Sequence, residues 1–289
     1  MASLREIKKR IRSAQNIGKV TKALQMISAV RMRKAQTEAM LSRPYSSELV
    51  DTLRTLPASD VENPLLKPNE SQKQLIIIVA PDRGLAGSLI TNLYRSTSRW
   101  SKGKDVDAIT LGRKAGGIAL RSKVNLVADY PVSQLDSLAN NVVDQYKAGV
   151  YQSVWISYSK FINTMTQQAE VVQFLPVNLA NVIGEKAASG PHALYTFEPT
   201  PASVLDYVIT EYLKSTLNQI IKDATAAEHS ARFVAMKNAH DNATSIVKDL
   251  NLQYNKTRQE KITNEISDIA SAALLALSLI HISEPTRPY

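Results

Sequence analysis

The chain of 289 residues contains no cysteine. That excludes disulfide scaffolds, thiolate-held zinc, iron–sulfur clusters and thiol catalysis. Histidine is scarce, with four residues scattered too widely for a His-rich metal site. Glycine and proline are also few, at 10 and 12, while hydrophobic residues make up 44%, so the chain is neither collagen-like nor disordered. No apolar run reaches the ~20 residues a membrane-spanning helix needs. The longest, 269–282, is too short and holds Ser and His. Charge is spread through the N-terminus with no uninterrupted apolar core after it, which excludes a signal peptide. The expectation is a soluble protein of a reducing compartment.

Acidic residues are missing from one end. Residues 1–36 hold ten basic side chains (Arg5, Lys8, Lys9, Arg10, Arg12, Lys19, Lys22, Arg31, Arg33 and Lys34) against the single acid Glu6. The net charge of +9 therefore lies there, and the rest of the chain is neutral. Such an arm fits DNA phosphates, an acidic protein surface or simply a solvated helix face. It lacks interleaved aromatics, which argues against single-strand binding.

Residues 3–56 read as one long helix, with Gly18 its only glycine and no proline before Pro44. Leu4, Ile7, Ile11 and Ala14 recur at coiled-coil spacing, and after a three-residue step Ile17, Val20, Leu24 and Ile27 are expected to continue the stripe. Ser3 with Glu6 forms a capping box, and Pro44 predicts a kink or break. Residues 57–72 read as a loop. The apolar run Leu75–Ala80 predicts a buried parallel strand. Strands follow at Val106–Leu111, Val124–Asp129, Ser153–Tyr158 and Glu170–Pro176. Helices fall between them at Leu89–Trp100, Arg113–Arg121 and Val132–Gly149, which argues for a mostly parallel α/β sheet. Residues 181–201 are punctuated by Gly and Pro. From Ala202 to Ala276 neither occurs, and eight basic groups face nine acidic ones, so a second long helix is expected. A soluble helix of that length needs a partner. The fold class that follows is α/β: N- and C-terminal helices (1–56 and 202–276) paired as a long antiparallel coiled coil, with a Rossmann-like domain at 73–180 inserted between them. The C-terminal helix is the longer, so its end should project and be enclosed by something else.

No catalytic constellation is found. The turn Pro81–Ser88, containing Asp82, Arg83, Gly84 and Gly87, lies between a strand and a helix, where α/β folds bind ligands. It lacks the third Gly of a dinucleotide fingerprint and the Lys-Ser/Thr of a P-loop. A tight turn with positive φ at Gly84 and close helix packing at Gly87 is the favoured reading. His229 and His240, eleven positions apart on a helix, stand ~16 Å apart and cannot share a metal. No metal and no cofactor are expected.

The segments 3–11 (SLREIKKRI) and 21–26 (TKALQM), the loop Asp82–Gly87 (DRGLAG), and the stretches 231–239 (ARFVAMKNA) and 255–266 (NKTRQEKITNEI) together resemble the F-type ATP synthase gamma subunit family. The match lies at both ends and the middle, over about residues 2–276, with 110–200 the most divergent. The resemblance implies a noncatalytic rotor shaft in a proton-transporting ATP synthase. Its helices would enter a hexamer of three alpha and three beta subunits, with the α/β domain as a foot on the c-ring beside epsilon. Arg232, Arg258 and Gln259 would meet loops of beta. Leu24, where the family usually has Met, would lie near an acidic lever of beta beside Lys19 and Lys22. Tyr195, Phe197 and Glu198 match the family's stretch touching the c-ring, with Phe197 replacing a Tyr. The redox-regulatory cysteine insert of the chloroplast form is absent. The absence of a transit peptide before the signature implies a bacterial protein, attached peripherally at the cytoplasmic face of the plasma membrane. The alternative is a coiled-coil nucleic-acid-binding protein using the basic arm.

Residues 277–289 depart from the family's apolar, Ala-rich end and resemble a translated sequencing-adapter stretch. They are read as a non-native tail. Resequencing the 3′ end of the gene from intact genomic DNA is expected to lack this segment, and finding it there overturns that reading.

Overall fold

A computed structural model of the chain describes residues 3–55, 63–179, 182 and 198–282. The chain divides into two compact units, one of residues 1–23 with 237–289 and one of residues 24–236. Helix α1 (Leu4–Thr55) and the last helix, α5 (Pro201–Ile282), contribute to both.

In the first unit the start of α1 runs antiparallel to α5. Ser3, Leu4 and Arg5 lie beside Lys256–Asn264, whereas Gly18 lies beside His240 and Ala243. Ser3 caps α1, its Oγ accepting from the Glu6 backbone N–H at 3.3 Å. Ile7, Ile11, Ala14, Gly18 and Thr21 are buried, a strict alternation of four- and three-residue steps. The expected jump of the stripe to Ile17, Val20 and Ile27 does not occur, and these three are 54%, 59% and 50% exposed. Leu24 is half-buried. The seam keeps its register through small residues instead. A Cβ on Gly18 would sit 3.7 Å from the Ala243 Cβ, so the backbones pass close there. Thr21 turns its hydroxyl back to donate to Ile17 O and Gly18 O, which removes the cost of burying it.

The same four-three alternation continues on α1 within the second unit, where Ser28, Met32, Ala35, Ala39 and Leu53 are buried. The helix shows no break at Pro44. That residue is exposed, so the carbonyl it leaves unpaired faces water. On either side of it the helix is tied to α5, Ser42 Oγ donating to Gln219 Oε1 at 2.8 Å and Ser46 pairing with Ser215 at 2.7 Å.

The rest of this unit is an α/β sheet. Its elements are β1 (Gln74–Val79), α2 (Leu89–Ser101), β2 (Val106–Leu111), α3 (Ala115–Arg121), β3 (Asn125–Tyr130), α4 (Leu135–Lys147), β4 (Ser153–Phe161) and β5 (Gln167–Leu175). The strand order is β3-β2-β1-β4-β5. All neighbours are parallel except β4 and β5, which are antiparallel. Successive residues of a strand face opposite ways, and β1 is buried on both faces. Leu75, Ile77 and Val79 join α4 and the first turns of α5 in one cluster, through Leu138, Val142, Leu205, Ile209 and Leu213. Ile76 and Ile78 meet α2 and α3 on the other face, at Leu93, Ile118 and Ala119. Right-handed crossovers require helices on opposite faces when the chain reverses direction across the sheet. That reversal leaves β1 and β4 side by side at the centre, with the turn after β1 at the carboxyl end of the sheet.

α5 starts at Pro201, where its missing N–H costs nothing. Thr200 and Ser203 cap it reciprocally, each hydroxyl accepting from the other's backbone N–H at 3.3 Å.

Gly112, after β2, has φ +88°, and a Cβ there would lie 2.0 Å from Ala80 O. Gly112→Ala should therefore destabilise the protein by at least ~2 kcal/mol in denaturant unfolding. Gly116→Ala, with nothing within 4 Å of the new Cβ, should be neutral or slightly stabilising in the same assay.

Candidate functional site

The turn from Pro81 to Ser88 leaves the end of β1 and is held from two sides. Towards the sheet, Asp82 Oδ1 accepts from the Arg113 backbone N–H at 3.0 Å, and Lys114 N–H donates to Pro81 O at 3.1 Å. Towards α5, Ala86 and Leu89 are buried against Ala227 and Ala231. A Cβ on Gly87, whose φ is +58°, would come within 3.8 Å of the Ala235 Cβ. Three alanines four residues apart thus form a smooth stripe that lets the turn lie against the helix. The left-handed backbone expected at Gly84 falls on Leu85 (φ +63°) and Gly87 instead. Leu85 is 64% exposed at the tip.

Arg232 closes the arrangement. Its Nε donates to Gly84 O at 3.2 Å and its Nη2 to Arg83 O at 3.0 Å. Nη2 also pairs with Glu228 Oε1 at 2.8 Å, and Nη1 lies 3.3 Å from His229 Nδ1. Arg232 is only 7% exposed, and burial of a guanidinium requires this degree of pairing. The turn directs carbonyl oxygens at the arginine rather than N–H groups at an anion. A cavity of about 380 Å³ opens beside it, lined by Arg31, Asp82, Arg83, Glu228, His229 and Arg232 among others. Burial, reinforced by Arg232 and Arg31, pushes the His229 imidazole down to about 4. Burial pushes the Glu228 carboxyl up, against the pull of Arg232.

The other residues singled out by sequence are dispersed. Lys19 and Lys22 are exposed on α1 in the first unit, and Leu24 belongs to the second. Arg258 and Gln259 are exposed on α5 in the first unit, Gln259 lining a groove of about 870 Å³ with Ser3, Arg5 and Lys256. Glu198 is exposed, while Tyr195 and Phe197 lie outside the described residues. His240 has its own partner, its Nδ1 standing 2.9 Å from Gly18 O. Among the described residues no group of three His, Asp or Glu could hold a metal ion, and no helix is long and apolar enough to cross a membrane. Sequence reasoning missed Glu228 and the alanine stripe, and it weighed His229 only as a metal ligand, not as the neighbour of Arg232. The stripe was readable as Ala at 227, 231 and 235, but periodicity does not say what lies on it.

These features define a class of protein in which an α/β domain, framed in sequence by two long helices, is clamped to the last of them. A family model described as ATP synthase matches residues 3–274. The chain is 38% identical to the ATP synthase gamma chain of Roseiflexus castenholzii, over 94% of this chain and 98% of that one. It is 41% identical to that of Stenotrophomonas maltophilia, over 94% and 99%. The fold is also similar to a chain in the rotor of the Euglena gracilis mitochondrial ATP synthase (TM-score 0.63, 18% identity, 90% of this chain and 98% of that one). A chain in the OSCP/F1/c-ring structure of the same enzyme gives a TM-score of 0.70 at 17% identity, covering 99% and 98%. The chain belongs to the ATP synthase gamma chain family.

The depressed His229 makes a pH prediction. Its folded value of about 4 lies below the ordinary 6.5, so the unfolded chain takes up the proton first as pH falls. Stability should be level above pH 6.5 and decline from there towards pH 4. Denaturant midpoints measured across that range should show the decline, and His229→Asn should flatten it.

Proposed function

We propose that the chain is the noncatalytic central-stalk rotor subunit of a bacterial F-type ATP synthase, carrying torque between an ion-driven c-ring and the catalytic beta subunits. Family membership supports the reading, and the exposed end of α5 carries it. Every residue from 258 to 275 is exposed, including Ile262, Ile266, Ile269, Leu274 and Leu275. The groove shared with Ser3, Leu4 and Arg5 extends along this helix as far as Asn264. A helix end that leaves such large apolar groups in water among its charges calls for an enclosure, and the bore of three alpha and three beta subunits is of the right kind. Epsilon and the c-ring complete the partners, and attachment to the plasma membrane is peripheral, through the complex.

In this reading Lys19, Lys22 and Leu24 face the acidic lever of beta, and Arg258 and Gln259 meet a loop of beta. Tyr195, Phe197 and Glu198 approach the c-ring. The net charge of the N-terminal helix then serves docking against acidic protein, and the nucleic-acid alternative finds no support among the relatives.

Co-expression with alpha and beta subunits of the same organism should yield a stable complex with ATPase activity, and failure to co-purify overturns the reading. Within that complex Arg258→Ala, an exposed position, should lower coupled ATP turnover several-fold, as loss of a charge-assisted contact does. Assembly on gel filtration should be unchanged. Unaltered turnover removes Arg258 from the coupling surface.

A further inference from the structure

The family resemblance assigns Arg232 to a loop of the beta subunit, yet its side chain is spent inside this chain. We infer that Arg232 is a positioning residue that couples the α/β domain to α5 by clamping the turn 81–88, and that it acts through this turn rather than by touching a neighbouring subunit. The inference rests on the rotor reading above.

The fork bridges two successive carbonyls, Arg83 O and Gly84 O, from Nη2 and Nε. A planar guanidinium does this from two nitrogens held in fixed geometry, which the single nitrogen of a lysine ammonium does not offer. Glu228, one turn earlier on α5, supplies the counter-charge that makes burial tolerable. Turning those two carbonyls towards α5 has a visible consequence in the backbone. The chain reverses at Leu85, a non-glycine residue at φ +63°, and again at Gly87. A conformation that L residues rarely adopt persists only where its surroundings hold it.

The position of the clamp suits force transfer. The turn is bonded to the β2–α3 connection through Asp82 and Pro81, so it moves with the sheet. It rests on α5 along Ala227, Ala231 and Ala235. Alanine against alanine and glycine gives close contact but little resistance to sliding, because smooth surfaces have no interlocking side chains. Arg232 stands beside that stripe, in the row of Glu228, and supplies the directional bonds the alanines lack. A load applied to the sheet reaches the start of α5 through the shared core, and it reaches the stretch around residue 232 through the turn, where Arg232 supplies the bonds beside the Ser230–Thr164 contact.

The geometry also supplies a covalent substitute for the clamp. A Cβ at position 87 would stand 3.8 Å from the Cβ of residue 235, within the range a disulfide spans. The chain has no other cysteine to interfere. The test uses the full ATP synthase complex reconstituted in vesicles. Arg232→Ala should lower ion-driven ATP synthesis roughly tenfold, the scale of losing a charge-assisted pair. Hydrolysis by the same complex should fall much less, since the catalytic sites are untouched. Adding Gly87→Cys and Ala235→Cys and oxidising them should restore synthesis to within about twofold of the same cysteine pair carrying Arg232. Reduction should abolish the recovery.

A residue that acts by touching beta would not be rescued by a bond between positions 87 and 235, so absence of rescue overturns the inference. Unchanged synthesis in Arg232→Ala overturns it as well. If that variant does not assemble, Arg232→Lys serves in its place. It keeps the charge without the fork and should show a smaller loss with the same redox-dependent recovery. A chain that never joins alpha and beta refutes the rotor reading itself, an outcome visible before any of these measurements.

Discussion

A helix of dozens of residues with one apolar stripe has no stable isolated form in water, and everything else in this protein follows from how the stripe is covered. In each unit α1 and α5 cover one another. They do it with small residues more than with large ones: Gly18, Thr21 and Ala243 in the first unit, and Ala35, Ala39, Ser42, Ser46 and Ser215 in the second. Small side chains bring backbones close, so contact is gained by proximity rather than by volume. The larger apolar groups Ile17, Val20, Ile27 and Val30 are left on the outside. A surface of that kind is typical of a part that works inside an assembly.

The α/β domain solves a different problem. Its sheet is covered on both faces, by α2 and α3 on one and by α4 with the start of α5 on the other. The first turns of α5 are therefore core, with Leu205, Ile209, Leu213 and Leu217 nearly inaccessible. The same helix changes role as it proceeds, from sheet cover to the seat of the turn after β1. Arg232 belongs to this last stretch. Its burial with Glu228 and two backbone carbonyls costs desolvation, which the directed bonds offset. Directional bonds of that kind resist sliding where alanine packing does not.

Much of this was legible in the chain. The two long helices, the alternation of strands and helices between them and the neutral body behind a basic arm all came from periodicity and charge, because helix and strand periods are local properties. Positions of the motifs followed from the resemblance. The phase of the α1 seam did not. Ile17, Val20 and Ile27 look like better seam residues than Gly18, Thr21 and Ser28, since hydropathy rewards size, and only the partner helix shows that closeness was preferred. Pro44 looked like a break because proline lacks an N–H, and what kept the helix whole is bonding to α5 on both sides of it.

Sequence by itself determined the element types, the insertion of an α/β domain between two helical ends and the family, since these rest on local pattern and on residue identity. Tertiary structure alone decided which face of α1 is inside, where the left-handed residues of the turn fall, and that Arg232 is buried. Each of these depends on contacts between segments up to 222 positions apart, such as Gly18 with His240 and Arg83 with Arg232. No local pattern encodes such a contact, because the carbonyls that receive the Arg232 fork are backbone atoms present at every residue.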